Sequence, residues 1–476
     1  MKSYQKRWFS VFTVVAGIGL LAGRVAAQPF EVLHTFSPTS GSPGTNSDGG
    51  HPYGALILSG NRIYGTVQDG GPSGSGSIFA VNTDGTGFTN LYNFSALSGT
   101  FLGTNADGAT PFAGVILSGD TLYGTTEAGG TGGSGTIFSI KTNGTGFTNL
   151  YSFSPRGNFL FPTNSDGAGP YGELVLSGNT LYGTAASGGP RLYGTAFAIH
   201  TDGTGFTNLH SFTNYDGVGP DAGLILSGNT LYGTTAGGGA AGNGVIFAFY
   251  TDGTGFTNLH SFAAGTTNAS GIYTNADGRR LYAKLVLSGN TLYGTTEEGG
   301  PFGGGTVFAV NTDGTGFTNL CQFANDSDNA LPYDGLTLSG KTLYGTALGA
   351  TNSTVFAINT DGTDFKTLYT FGDNDGSNPN AVILSGNTLY GTAHYGGSGG
   401  TGSNPSRGTV FRLVVPISLY YQNFADSLVL SWNDPVNILQ AASAVTGTYT
   451  NVPGATSPYT NAVTGPQEFF RLLVPQ

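Results

Sequence analysis

The chain has 476 residues and a formal net charge of −11 at pH 7, and only 9% of its residues are charged. Nucleic acid, heparin-like chains and anionic lipid surfaces repel such a chain, which leaves cations, neutral glycans or proteins as partners. Its 82 glycines predict turns and short strands rather than helices. Because Cys321 is the single cysteine, no intramolecular disulfide can form and a packed core has to hold the fold together.

The first 27 residues predict a secretory signal peptide. Lys2, Lys6 and Arg7 form a basic start, residues 8–21 are apolar, and small residues precede a cleavage position after Ala27. No later segment is apolar enough to span a bilayer. We therefore expect an exported, soluble protein that is a monomer at the cell surface or outside the cell.

One segment, Leu-Ser-Gly-Asn-Thr-Leu-Tyr-Gly-Thr or a close variant, occurs seven times. The tyrosines of its Tyr-Gly-Thr triplet are Tyr64, Tyr123, Tyr182, Tyr232, Tyr293, Tyr344 and Tyr390. A catalytic site needs its groups once, converging from different directions. A segment that is repeated seven times instead indicates a structural unit of a propeller or a solenoid.

Each repeat contains four short segments rich in β-branched and aromatic residues, separated by Gly, Asn and Asp. In the second repeat we predict strands over residues 114–117, 121–125, 136–141 and 147–153. No segment has a useful length of 3.6-residue periodicity. The pattern predicts an all-β fold, a seven-bladed β-propeller, with a solenoid of stacked β units as the alternative.

The two ends of the repeat array complement each other. Residues 30–36 match the fourth strand of a repeat, and the seventh repeat stops after its third strand at residues 409–413. An N-terminal strand that completes the last sheet would close the ring and remove the edges that an open array exposes. This offset favours the propeller over the solenoid and assigns residues 28–415 to it.

The repeat resembles the GloVer tandem repeat, a choice-of-anchor family of exported bacterial proteins. The resemblance covers residues 30–413 and rests on three segments that recur in order: Leu-Ser-Gly-Asn-Thr-Leu-Tyr-Gly-Thr, then Gly-Thr-Val-Phe-Ala-Ile-Asn-Thr-Asp-Gly-Thr, then Phe-Thr-Asn-Leu-Tyr-Ser-Phe. It implies a propeller-like array with varied C-terminal attachments. It implies no activity and no catalytic motif.

Residues 416–476 contain no copy of the repeat. Their predicted strands are residues 427–432, 437–440, 448–452 and 469–473. These strands indicate a small C-terminal β-sandwich-like module, for which attachment or spacing is the expected role.

If the four strands run from the channel outward, the loops before strand one and those between strands two and three share one face. This face carries a recurring Asn-x-Asp-Gly motif or a variant of it, whose aspartates are Asp48, Asp107, Asp166, Asp216, Asp277, Asp328 and Asp375. Oxygen ligands at alternate positions suit calcium. The alternative, which we favour, is an Asx-turn that needs no metal, because the motif lacks the further acidic ligand of an EF-type loop. No cofactor is therefore expected.

Aromatic residues recur just ahead of strand one: Tyr53, Phe112, Tyr171, Tyr282 and Tyr333. On a propeller they would ring the mouth of the channel, where exposed rings could stack on the faces of a neutral sugar. The alternative is that they pack between blades as core, which is the commoner fate of a repeated aromatic residue.

Two repeats break the pattern at the position four residues before the serine of Leu-Ser-Gly. Five repeats have Ala or Gly there, and the other two have Glu173 and Lys284. A Glu–Lys pair beside His394 could support the acid–base chemistry of a glycan lyase or hydrolase. Solvated loop charges or a plain ion pair are the favoured alternative.

The leading hypothesis is therefore an exported, non-enzymatic propeller that binds a glycan or a protein partner. The rival hypothesis is a carbohydrate-active enzyme with Glu173 and Lys284 at the channel mouth. Replacing both residues with Ala would abolish turnover in the enzyme and change little in the binding protein.

Overall fold

The structure is a computed structural model that describes residues 30–99, 103–157, 163–325, 330–349, 352–399, 406–415, 419–423, 427–432, 438–443, 448–456, 459–462 and 469–473. The regular elements in these ranges are β-strands, and none of the described residues forms a helix with the length and apolar character to cross a membrane. The predicted signal segment and Asp328 lie outside the described residues.

Seven small antiparallel sheets form a seven-bladed β-propeller, as the sequence predicts. Each of blades 1 to 6 takes its four core strands from one repeat, in chain order. Blade 1 contains Ile57–Ser59, Arg62–Asp69, Ser77–Asn82 and Thr89–Asn93, and blade 2 contains Ile116–Ser118, Thr121–Thr126, Thr136–Lys141 and Thr148–Ser152. Blade 3 contains Val175–Ser177, Thr180–Ala185, Thr195–His200 and Thr207–Ser211, and blade 4 contains Ile225–Ser227, Thr230–Thr235, Val245–Tyr250 and Thr257–Ser261.

The remaining blades follow the same order. Blade 5 contains Val286–Ser288, Thr291–Thr296, Gly303–Asn311 and Thr318–Ala324, and blade 6 contains Thr337–Ser339, Thr342–Ala347, Thr354–Asn359 and Lys366–Thr370. Blade 7 contains Ile383–Ser385, Thr388–Tyr395, Thr409–Val414 and the N-terminal strand Phe30–Thr35. Short extra strands are Gly50–Pro52, Ser377–Pro379 and the hairpin Thr266–Thr267 with Tyr273–Thr274.

The N-terminal strand closes the ring in the predicted way. Phe30 pairs with Leu413 and Thr35 pairs with Thr409, in antiparallel register with one irregularity between them. Phe36, which follows this strand, is fully buried. The blade that lacks a fourth strand in the sequence therefore obtains it from the other end of the array.

The glycine of each Tyr-Gly-Thr triplet is required by the packing within its blade. A Cβ atom on Gly183 would lie 2.6 Å from Cζ of Phe197 and 2.8 Å from Cδ2 of Leu174, both of which are buried. Comparable distances recur in the other six blades. The third-strand phenylalanine thus lies directly over the glycine, and this contact explains why the triplet is repeated.

In blades 1 to 5 the threonine of the same triplet joins its blade to the next. The Thr66 hydroxyl donates to the Ala113 carbonyl at 2.8 Å, and the Thr184 hydroxyl donates to the Ala222 carbonyl at 3.0 Å. In each case the acceptor lies just before the first strand of the next blade. These buried hydrogen bonds hold the segments that line the propeller axis.

The chain divides into two compact units, Phe30–Val414 and a unit that includes Val415–Gln476. The latter contains two three-stranded sheets. One sheet contains Leu419–Asn423, Ser427–Trp432 and Tyr459–Ala462, and the other contains Ile438–Ala442, Thr450–Asn451 and Phe469–Leu473. Leu430 and Leu439, one from each sheet, pack together at the centre of a small core.

Candidate functional site

A cavity of about 940 Å³ lies on the propeller axis. All seven blades contribute to its lining through their first strands or the residues just before them. This volume is in the range of small-molecule sites. The cavity is therefore the candidate functional site.

Small residues are needed where the first strands approach the axis. A Cβ atom on Gly114 would lie 2.3 Å from the carbonyl oxygen of Ala55, and one on Gly223 would lie 2.9 Å from the carbonyl oxygen of Glu173. These contacts explain why five repeats have Ala or Gly at the position four residues before the serine of Leu-Ser-Gly. They also make the two charged exceptions, Glu173 and Lys284, informative.

Glu173 of blade 3 and Lys284 of blade 5 form an ion pair in the cavity. Nζ of Lys284 donates to Oε2 of Glu173 at 3.1 Å, and both side chains are partly buried. The other carboxylate oxygen, Oε1, would lie 2.6 Å from a Cβ atom on Gly114. The glutamate therefore fills space that the glycine of blade 2 leaves open.

His394 is not part of this arrangement, contrary to the grouping suggested by the sequence. It is buried, lies outside the cavity lining, and stacks on His51 with ring centroids 5.0 Å apart. Burial and the nearby His51 lower the pKa of His394 to about 4, so it is neutral at physiological pH. Its role is to pack blade 7 against the segment before blade 1.

The five predicted aromatic residues lie together at the mouth of the cavity and form a row of touching rings. Ring centroids are 5.0 Å apart for Tyr171 and Phe112, and 3.8 Å apart for Phe112 and Tyr53. The row continues to Tyr333, whose ring centroid lies 5.8 Å from that of Tyr53. It ends at Tyr282, whose ring centroid lies 5.1 Å from that of Tyr333. All five are half-buried and line the cavity, so the row is partly packed and partly open.

Two carboxyl groups in the cavity were missed by the sequence analysis. Asp334 accepts hydrogen bonds from the backbone nitrogens of Gly335 at 2.6 Å and Ala381 at 2.8 Å, and burial raises its pKa to about 6. Burial also raises the pKa of Asp221 to about 7. Asp221 follows Pro220 in blade 4, where blades 1, 2, 3 and 6 have an aromatic residue after proline. This replacement of an aromatic residue by Asp221 is the feature of the sequence from which its place in the site could have been found.

Polar contacts join the two loop classes at the cavity mouth. The Tyr171 hydroxyl, before strand one of blade 3, donates to Oε1 of Glu127 in the loop between strands two and three of blade 2. In blade 5, Arg280 lies 2.6 Å from Glu298 and 3.7 Å from Glu297. Backbone bridges such as the one between Ala109 and Ala128 place these loops side by side. The shared face predicted from the strand order is confirmed.

The aspartates of the Asn-x-Asp-Gly motifs stabilise the loops that follow the fourth strands. Asp166 accepts hydrogen bonds from the Tyr151 hydroxyl at 2.7 Å, the Ser154 backbone nitrogen at 2.8 Å and the Ser154 hydroxyl at 2.9 Å. A Tyr or His of the fourth strand lies within hydrogen-bond distance of the equivalent carboxylate at Asp48, Asp107, Asp216, Asp277 and Asp375. Because these carboxylates face N–H and O–H donors, the contacts favour the turn interpretation over calcium. Among the described residues no cluster of three or more His, Cys, Asp or Glu is arranged to hold a metal.

Asp166→Ala is therefore expected to lower the free energy of unfolding by about 2–4 kcal/mol, since three partly buried donors lose a charged acceptor. Urea denaturation measures the change, and EDTA should leave the wild-type midpoint where it is. Asp202→Ala, which alters an exposed turn aspartate, is the control and should cost little. A large EDTA effect on the wild type would contradict the metal-free turn.

Asp221→Asn is expected to stabilise the protein at alkaline pH. The folded pKa of Asp221 is about 7, whereas an unfolded Asp titrates near 3.9. Between these values the folded state keeps a proton that the unfolded state has released, so this group lowers stability as pH rises from about 4 to 7. The variant should gain about 2–4 kcal/mol over wild type above pH 7 and little below pH 4. Urea denaturation measures the free energy of unfolding of both proteins. The same difference between variant and wild type above about pH 7 and below about pH 4 would contradict this prediction.

Comparisons with solved structures return matches of low similarity. The oligogalacturonate lyase of Vibrio parahaemolyticus has 9% identity and a TM-score of 0.47, with 82% of this chain and 97% of that chain covered. A chain of the nidogen/laminin complex has 17% identity and a TM-score of 0.34, with 55% and 83% covered. The tricorn protease has 10% identity and a TM-score of 0.39, with 86% and 36% covered. No curated protein matches the sequence.

The repeats themselves give a more specific match. Residues 24–162 and 157–352 match the family described as the Gloeobacter/Verrucomicrobia repeat, which agrees with the resemblance read from the sequence. The matched segments cover more than half of the chain and correspond to most of the propeller. The chain belongs to the Gloeobacter/Verrucomicrobia repeat family.

Proposed function

We propose that this protein is an exported, non-enzymatic propeller that binds a glycan in its axial cavity. The observation that carries the proposal is the continuous row of five half-buried aromatic rings along the mouth of a cavity of about 940 Å³. Ligand sites are mostly apolar and aromatic, with a few polar groups that fix orientation. Sugar rings present C–H faces to aromatic rings and hydroxyl groups to carboxylates, and the cavity offers both partners.

The charges in the cavity restrict the class of glycan. Four carboxyl groups line it, against the two cations Lys284 and Arg280. Both cations are already paired with carboxylates. An acidic sugar would therefore meet a surplus of negative charge without a free cation to receive it, which supports a glycan that is not anionic.

The catalytic alternative has weaker support. Glu173 and Lys284 are engaged with each other at 3.1 Å. His394 is not itself a lining residue and meets the cavity wall only at the ring of Tyr53, with centroids 5.5 Å apart. A general acid and base would have to release this pair before either group could act on a substrate. Export is part of the proposal because of the predicted signal peptide in residues 1–27.

Tyr282→Ala tests the proposal, since Tyr282 ends the aromatic row and stacks on one ring of it, Tyr333. Wild type and variant should be titrated calorimetrically with trisaccharides that are uncharged or carry amines. We expect the dissociation constant of the bound sugar to rise about tenfold in the variant, a loss of about 1.4 kcal/mol. Tyr282→Phe should bind as wild type does.

Tyr250→Ala is the matched control, because Tyr250 is an exposed tyrosine at the end of a third strand and does not line the cavity. Equal binding by Tyr282→Ala and Tyr250→Ala would contradict the assignment of the aromatic row. Absence of sugar binding by the wild type would contradict the proposed function itself.

A further inference from the structure

We infer that the glycan carries positively charged amino groups and that Asp221 receives one of them. The inference rests on the proposed function and names the class of ligand, an oligosaccharide of amino sugars. It departs from the neutral glycan expected from the sequence. The observations that carry it are the position of Asp221, the pairing of the other charges in the cavity, and the aromatic rings beside it.

Asp221 lies in the lining of the cavity, between two members of the aromatic row. It belongs to blade 4, and Tyr171 and Tyr282 occupy the corresponding positions of blades 3 and 5. Burial and the charges of Glu127 and Asp221 raise the pKa of Tyr171, and burial and the charges of Glu297 and Asp221 raise that of Tyr282. The carboxyl group is thus close enough to both rings for its charge to act on them.

The other charged groups of the cavity have partners. Glu173 is paired with Lys284 at 3.1 Å, and Arg280 is paired with Glu298 and Glu297. Asp334 accepts two backbone hydrogen bonds. Asp221, by contrast, receives no hydrogen bond or ion pair from the part of the chain that the structure describes. A partly buried carboxylate without a partner is unfavourable, so a cation that enters the cavity would be bound where the protein leaves a charge uncompensated.

The surroundings of Asp221 suit an organic ammonium group better than a metal ion. Ammonium groups are attracted to the faces of aromatic rings, and Tyr171 and Tyr282 lie on either side. The hydroxyl of Tyr171 is held by Glu127 at 2.5 Å, which restrains this ring. Calcium would require six or more oxygen ligands, and the described residues gather no metal-binding cluster here.

The experiment compares three trisaccharides of one backbone geometry by calorimetry at neutral pH. The β-1,4-linked trimer of glucosamine carries amines, its N-acetylated form carries uncharged amides, and cellotriose carries hydroxyl groups. We expect wild type to bind the glucosamine trimer about tenfold more tightly than either uncharged trimer, as a charged hydrogen bond would provide. Asp221→Asn should reduce this preference to less than about threefold.

Asp252→Asn is the matched control because it makes the same chemical change in an exposed turn outside the cavity, and it should keep the wild-type preference. A melting curve confirms that Asp221→Asn is folded. Equal binding of all three trimers by wild type would overturn the inference and leave the proposed function standing. If no trimer binds, both fail. If Asp221→Asn keeps the full preference, the assignment to Asp221 is overturned.

Discussion

Deletion of residues 30–36 is expected to abolish the cooperative folding of the propeller. The deletion removes the whole ladder with Thr409–Val414, the stacking of Phe30 on Tyr369 at 4.1 Å, and the fully buried Phe36. Loss of one buried phenylalanine alone costs about 3–5 kcal/mol. The total approaches the 5–15 kcal/mol by which domains are stable, so the product should aggregate or unfold without a transition.

Glu31→Ala provides the control for the deletion because it alters the same strand without removing it. Glu31 is half exposed and pairs with Arg412 at 2.5 Å, and an ion pair of this kind contributes about 1 kcal/mol or less. Circular dichroism and calorimetric melting measure both proteins. A soluble deletion variant that melts at the wild-type temperature would contradict closure of the ring by this strand.

Gly233→Val is expected to lower the free energy of unfolding by about 3 kcal/mol or more. A Cβ atom on Gly233 would lie 2.5 Å from Cζ of Phe247 and 2.8 Å from Cδ2 of Leu224, and both partners are fully buried. The added side chain would have to displace one of these residues from a packed core. Urea denaturation measures the loss of stability.

Two further variants separate this clash from a general intolerance of substitution. Gly228→Asn alters a turn glycine with open space around it and a φ of +59°, which asparagine tolerates, so it should cost little. Phe247→Leu, combined with Gly233→Val, should recover part of the lost stability by making room. Additive losses in the double variant would show that the phenylalanine is not the cause.

Much of the fold can be predicted from this sequence because the same pattern of strand and turn residues recurs in seven repeats. The Tyr-Gly-Thr triplet marks a second strand whose glycine lies beneath a phenylalanine and whose threonine, in blades 1 to 5, bonds to the next blade. The missing fourth strand of the last repeat is visible as an offset at the chain start. Both are patterns within short stretches of sequence. Because they recur in repeat after repeat, they can be distinguished from coincidental matches.

The site is harder to predict because its groups come from different blades. The pairing of Glu173 with Lys284 could be anticipated, since both occupy one position of the repeat. Asp221 is visible only as the residue that replaces an aromatic ring. His394 was wrongly grouped with the pair because sequence spacing cannot reveal that blade 7 packs it against His51, 343 positions away.

A crystal structure of the protein with the glucosamine trimer bound tests the central claim most directly, that the axial cavity is the ligand site. We predict sugar density inside the cavity, with a ring on Tyr171 or Tyr282 and an amine nitrogen about 3 Å from the Asp221 carboxylate. Sugar density on another face of the propeller, with the axial cavity filled by water alone, would contradict the account.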